Sequence, residues 1–255
     1  MSKITDSRVW KVLKTPDVIP TDQPRLKTNL DTNLLKLIAI ISMLIDHVGS
    51  AFFPDMPIFR YTGRLAFPIF AYCLTVGLLY TSNIKKYLTR LGIFALISQP
   101  LYIMAFHPYD WHEEWMNMNI YFTLFVSLIA MAGVKERKWW LFAIALLLLM
   151  FINLDYGATG VVLMLIFYIC RNRPAIGAAL FCLYYLPALW NGYPEDPKSL
   201  LLGGLCVDWT IFALLSAPFI FLRTNSKIKV NKYFFYIFYP AHLAAIWVVR
   251  IILQV

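Results

Sequence analysis

Charge is the scarcest property of this 255-residue chain. Only 15% of its residues are Asp, Glu, Lys or Arg, against 60% apolar. An ordinary soluble domain runs to about 45–50% apolar, so that class is excluded. Cysteine is sparse too: Cys73, Cys170, Cys182 and Cys206 stand singly in apolar stretches, with no C-x-x-C spacing. Neither a disulfide framework nor a zinc site is indicated, and inert buried thiols are the simpler expectation. The chain shows no internal repeat and no low-complexity segment, which argues against transporters built from inverted repeats. The pattern of a cleavable signal peptide is also missing, since residues 1–33 are polar and broken by Pro16, Pro20 and Pro24.

What fills the chain instead is hydrocarbon, with a mean hydropathy of +0.64. A membrane-spanning helix needs about 20 apolar residues, and about nine stretches qualify or nearly do. They are 34–53, 63–81, 85–106, 117–134, 138–153, 156–170, 174–190, 200–222 and 232–253. The fifth and sixth are short and share the break Asn153-Leu154-Asp155, so a tight hairpin that stops short of a full crossing is the alternative there. The expected fold is therefore all-α, a polytopic membrane domain over 34–255 behind a polar arm, 1–33. Within the arm, residues 3–14 mix basic side chains with Val9, Trp10 and Leu13, as a short interfacial helix would.

The net charge of +9 is distributed by position. Lys85, Lys86 and Arg90 occupy one break; Lys135, Arg137 and Lys138 another; Arg171 and Arg173 flank the sixth stretch; Arg223, Lys227, Lys229 and Lys232 precede the last. The breaks between hold Asp55, then Asp110, Glu113 and Glu114, then Asp155, then Glu195 and Asp196. Such alternation follows the positive-inside rule and predicts a cytoplasmic N-terminus in a cell membrane. The basic balance is thus a topology signal, and nucleic acid is not an expected partner.

Asp46-His47 stands out inside the first stretch. Each costs roughly 2–3.5 kcal/mol at the centre of a spanning helix, so each is a functional candidate by default. At 100° per residue they point to different sectors, and each needs a partner from elsewhere. Asp46 shares its face with Ser42 and Gly49, small residues that let a neighbouring helix come close. Arg64 opens the second stretch at nearly the depth of Asp46, so an Asp–Arg pair is expected. That pair has two readings, a site or a register device. Pro68 is expected to free a backbone carbonyl one turn earlier.

Other polar residues collect in the same outer half: Gln99 with Ser98, Asn117 and Asn119 with Thr123, Tyr156-Gly157, and Asp208-Trp209. His242, after Pro240, lies nearer the middle of the last stretch. A polar cavity accounts for the convergence. Plainer roles are open for each: helix caps for Asn117 and Asn119, a packing notch at Gly157, a bond from His242 to the carbonyl freed by the kink. His107, His112, Glu113 and Glu114 fit no metal spacing, and no metal is expected.

These strings resemble the TraX family, membrane proteins linked to N-terminal acetylation of conjugative pilin. The likeness rests on Asp46-His47-Val48-Gly49 followed by Gly63-Arg64-Leu65-Ala66-Phe67-Pro68. It continues through Tyr87 to Leu91, Ser98-Gln99-Pro100, Tyr156-Gly157 with Gly160, and Tyr236 to Pro240 with His242, covering about residues 30–255. The resemblance implies a transmembrane acyltransferase that takes acetyl-CoA from the cytoplasm and acetylates an amine or hydroxyl on the outer side. The acceptor would be a protein N-terminus or an envelope glycan.

On that expectation His47 is the general base, or a transiently acetylated nucleophile, and Asp46 holds Arg64. Arg64, Asn119 and Gln99 are candidate donors to an oxyanion, and Gln99, Asn119, Tyr156, Asp208 and His242 candidate substrate contacts. The CoA phosphates would meet Lys85, Lys86, Arg90, Lys135, Arg137, Lys138, Arg171 and Arg173. The competing expectations are a proton-coupled transporter or flippase, and a structural partner in an envelope assembly.

Overall fold

The structure, a computed structural model, describes residues 26–107, 111–152 and 154–254. The expected interfacial helix over 3–14 lies outside the described residues. Helix α1 (Thr32–Phe52) starts at Asp31, whose carboxylate accepts from the Leu34 amide at 3.4 Å. Its buried face is Leu35, Ala39, Ile40, Ser42, Met43, Asp46 and Gly49, a spacing of three to four residues. Helix α2 (Pro57–Gly63) opens with Pro at its first position. After a turn at Arg64-Leu65 the chain continues as α3 (Ala66–Tyr80). The second span thus begins six residues earlier than its apolar run. Pro68 falls in the first turn of α3, where a missing N–H costs no helical bond, so the expected freed carbonyl is replaced by the Arg64-Leu65 break.

Next come α4 (Ile84–Phe106), the single turn α5 (Trp111–Glu114) and α6 (Ile120–Glu136), which is capped by Asn119. Helices α7 (Trp139–Phe151), α8 (Thr159–Ile169) and α9 (Pro174–Tyr185) are shorter. At 1.5 Å per residue, α7 and α8 reach only about 16–20 Å, short of a hydrocarbon core of about 30 Å. Among the described residues, four helical segments are long and apolar enough to cross a membrane: Thr32–Phe52, Pro57–Tyr80, Ile84–Phe106 and Lys232–Leu253. The others are shorter apolar helices, so among the described residues four candidate crossings stand where nine stretches were expected.

The stretch 200–222 is not one continuous helix. It forms a hairpin of β1 (Leu200–Leu202) and β2 (Leu205–Val207), then a 3-10 helix (Trp209–Ser216) and α10 (Ala217–Phe221). Gly203 and Gly204, with φ of 55° and 87°, make the two-residue turn. The fold is mostly helical rather than all-α. The chain ends in α11 (Lys232–Leu253), capped by Asn231.

Helix α3 is the hub, packed against α1, α6 and α8, with Phe67, Ile69, Tyr72 and Leu78 buried along it. Lys135 reaches the Leu78 carbonyl at 2.8 Å and the Lys27 amide the Arg171 carbonyl at 2.9 Å, so the basic breaks gather at one end. At the opposite end Asp46 meets α2, and Tyr102 meets Asp155.

Candidate functional site

At this second end a cavity of about 560 Å³ opens between α1, α2, α4 and the α7–α8 turn, with Asp46, His47, Arg60, Arg64, Tyr156 and Trp209 in its wall. Gly63 allows the Asp46 carboxylate to lie against α2, since a β-carbon there would overlap it. The carboxylate is buried between two guanidiniums, Arg60 at 2.7 Å and Arg64 at 3.5 Å. The closer partner, Arg60, lies ahead of the apolar stretch that starts at Gly63, so hydropathy does not single it out. Arg60 and Arg64 are four residues apart, one helical turn, and that spacing was the available signal. Trp209 stacks on both cations, its ring centre 4.1 Å from the Arg64 Cζ and 5.2 Å from that of Arg60. Arg64 is 9% exposed, and its Nε is buried with no hydrogen-bond partner among the described residues.

His47 has a different partner. Its Nδ1 lies 2.7 Å from Nε2 of His242, whose own Nδ1 lies 2.9 Å from the Phe238 carbonyl. A carbonyl only accepts, so Nδ1 of His242 carries a proton, and in the neutral ring Nε2 is then the acceptor. His47 must donate from Nδ1, which leaves its Nε2 unprotonated on a ring that lines the cavity. The carbonyl that Pro240 frees belongs to Tyr236, so His242 bonds a different one and orients His47 as well. Phe106 stands edge-on to the His47 ring at 5.1 Å.

Of the remaining candidates, Tyr156 lies against Phe67 with ring centres 3.8 Å apart and joins the first cavity to a second of about 450 Å³. Asp208 lines the second cavity and caps the 3-10 helix through the Thr210 amide at 2.8 Å. Gln99 and Asn119 lie elsewhere. The Asn119 side chain donates to Gln99 Oε1 at 2.8 Å and to the Ala95 carbonyl at 2.9 Å, and Gln99 donates to the Asn117 carbonyl at 2.9 Å. They lock α4 to the start of α6 and line neither cavity, so the geometry leaves no oxyanion role to them. His107 stands 3.9 Å from Glu114, and among the described residues no three His, Cys, Asp or Glu side chains gather as metal ligands.

The eight basic residues expected to hold phosphates do not converge. Lys138 pairs with Glu136 at 2.6 Å, Lys135 is bonded to the Leu78 carbonyl, and Arg173 precedes α9. Arg137 and Arg171 line a groove on the α6–α8 side. Arg90 alone joins a third cavity, about 350 Å³, together with Lys36 and Lys232 and the rings of Tyr87 and Tyr236. Phe70 lines both this basic cavity and the His47 cavity.

Residues 31–250 match the family model described as TraX protein, with the paired Asp46-His47 and Arg64 inside the match. The chain belongs to the TraX family. Its relatives include a probable fimbrial assembly protein FimC of Dichelobacter nodosus, 29% identical over 86% of this chain and 96% of that one. Protein TraX of Escherichia coli is 26% identical over 86% of this chain and 87% of its own length. An uncharacterized protein of Rickettsia prowazekii matches over 40% of the chain at 32% identity. No solved structure matches. With family and apolar helices together, this is a TraX-family membrane protein.

Proposed function

We propose that the chain is a transmembrane acetyltransferase of a bacterial cytoplasmic membrane, with its N-terminus and basic end in the cytoplasm. The observation that carries the reading is the ordered pair of imidazoles, which leaves an unprotonated ring nitrogen in the cavity that the Arg64 guanidinium also lines. Acetyl-CoA, as co-substrate, would place its phosphates against Lys36, Arg90 and Lys232. Lys36 and His47 lie on one helix eleven residues apart, about 16 Å by helical rise. A thin thioester arm passing Phe70 would bridge that distance.

Neutral amine or hydroxyl of the acceptor attacks the thioester carbonyl while His47 Nε2 takes its proton. The new C–N or C–O bond forms and the C–S bond breaks. The proton held by His47 then passes to the departing sulfur, giving free CoA and the acetylated acceptor. Arg64 faces the developing oxyanion, with Asp46 and Arg60 fixing its position. The fimbrial name of one relative and the pilin association of the family favour a protein N-terminus over an envelope glycan as acceptor.

Radiolabelled acetyl-CoA and membrane vesicles carrying the protein test this. Label transferred to a peptide amine, with release of free CoA, is the expected result. Movement of label across the membrane with the thioester intact would instead make the protein a transporter.

A further inference from the structure

The groove containing Arg137 and Arg171 has no wall in common with the His47 cavity or the basic cavity beneath it. A phosphate bound there therefore leads no thioester toward His47. Its volume is about 620 Å³, and beside the two arginines its walls are apolar: Trp139, Phe142, Leu165 and Ile169, with Val134 and Tyr168 behind. The groove opens on the outside of the bundle, where Trp139 is 63% and Ile169 68% exposed.

The backbone presents Arg137 in an unusual way. It closes α6 with φ 58°, a left-handed conformation in which glycine is the default. For a residue with a β-carbon that conformation costs roughly 1–2 kcal/mol. Gly133 makes the corner tight, since a β-carbon there would come within 2.9 Å of the Phe142 amide. Arg171 is held on the facing helix end by its bond to the Tyr168 carbonyl at 2.7 Å. Two cations, one of them held by a hydrogen bond, thus line an apolar trough at the end of the bundle where the basic residues gather.

We infer that this groove is a binding site for an anionic phospholipid, with the phosphate between Arg137 and Arg171 and an acyl chain along Phe142, Leu165 and Ile169. A soluble phosphate would leave the trough uncovered, whereas a lipid satisfies charge and hydrocarbon together. Trp139 lies at the mouth, as aromatic side chains do at headgroup level. The inference does not rest on acetyl transfer.

Its test is lipid competition on the purified full chain in mixed micelles, read by native mass spectrometry. Wild type is expected to retain phosphatidylglycerol roughly thirtyfold over phosphatidylcholine, the scale of two arginines near an anionic headgroup. Arg137→Gly with Arg171→Gln should abolish the preference, and because glycine suits that φ the variant should keep its unfolding midpoint. Leu165→Trp, which fills the trough and leaves both cations, should weaken retention of both lipids. Equal retention of the two lipids by wild type overturns the inference even if the variants fail to fold. So does displacement of the lipid by inorganic phosphate or CoA at millimolar concentration, which would make the groove a site for soluble anions.

Discussion

His47→Ala removes the proposed base, and general-base losses run to about 10²–10⁴-fold. Acetyl transfer is therefore expected to fall by that range in kcat, with KM for acetyl-CoA little changed. His242→Phe keeps a ring of similar shape but removes the acceptor that fixes the His47 tautomer. Its kcat should fall less, about tenfold, with the same KM. Steady-state kinetics on both variants check the ordering, and wild-type kcat in His242→Phe would refute the orienting role of His242. Asp46→Ala tests the ion cluster separately. It strips two guanidiniums of their nearest counter-charge in a mostly buried site and leaves Asp155 as the remaining carboxylate of the cavity wall, which should cost about 3 kcal/mol in denaturant unfolding. A midpoint near wild type would show that solvent already screens the cluster. Asp46 needing a cation at its own depth was legible in the sequence, because an unpaired carboxylate in a span is expensive. The His47–His242 bond was not, since it joins residues 195 positions apart and no periodicity encodes that.

At the scale of elements, long apolar runs were legible and irregular ones were not. Residues 34–53, 85–106 and 232–253 became α1, α4 and α11 almost to the residue. The run 200–222 looked equally apolar, yet its Gly203-Gly204 pair carries the signature of a two-residue hairpin turn. Hydropathy does not see φ, so composition alone misassigned it. The caps were local and readable. Asp31 begins α1 and also accepts from the Ser226 amide at 2.6 Å, tying α1 to the segment before α11. Hydrogen bonds from Ser226 hold its carboxyl below the ordinary value of 3.8, with burial working in the other direction. A depressed carboxyl stabilises the fold above its unfolded value, and that contribution fades as pH falls through the lower folded value. Asp31→Asn should therefore flatten the acid limb of stability below 3.8 and leave the shape of the curve near neutrality unchanged. Thermal unfolding in detergent from about pH 3 to 7 reads this out, and parallel curves for the two proteins would refute the tie.

For the molecule as a whole, the two ends differ chemically. Lys36, Arg90 and Lys232 surround one cavity, while Asp46, His47 and Arg64 share another, with Phe70 between them. The alternation of basic and acidic breaks makes this polarity legible in the sequence. Which basic residues would serve a ligand was not readable, because helix ends scatter around the bundle in ways that charge counting ignores. Single cysteines at 112 and 195, in a background without the four native thiols, should react with an impermeant reagent from outside, and one at 136 should not. Labelling at 136 from outside would invert the proposed orientation.

In the proposed reaction a CoA thioester enters between α1, α4 and α11 and delivers its carbonyl to His47. A cryo-EM map of the protein with a non-hydrolysable acetyl-CoA analogue tests it most directly. Phosphate density is expected at Lys36, Arg90 and Lys232, with an arm passing Phe70 and the acetyl carbon beside His47 Nε2. Density for the analogue in the Arg137–Arg171 groove, or an arm that ends short of Phe70, would contradict it.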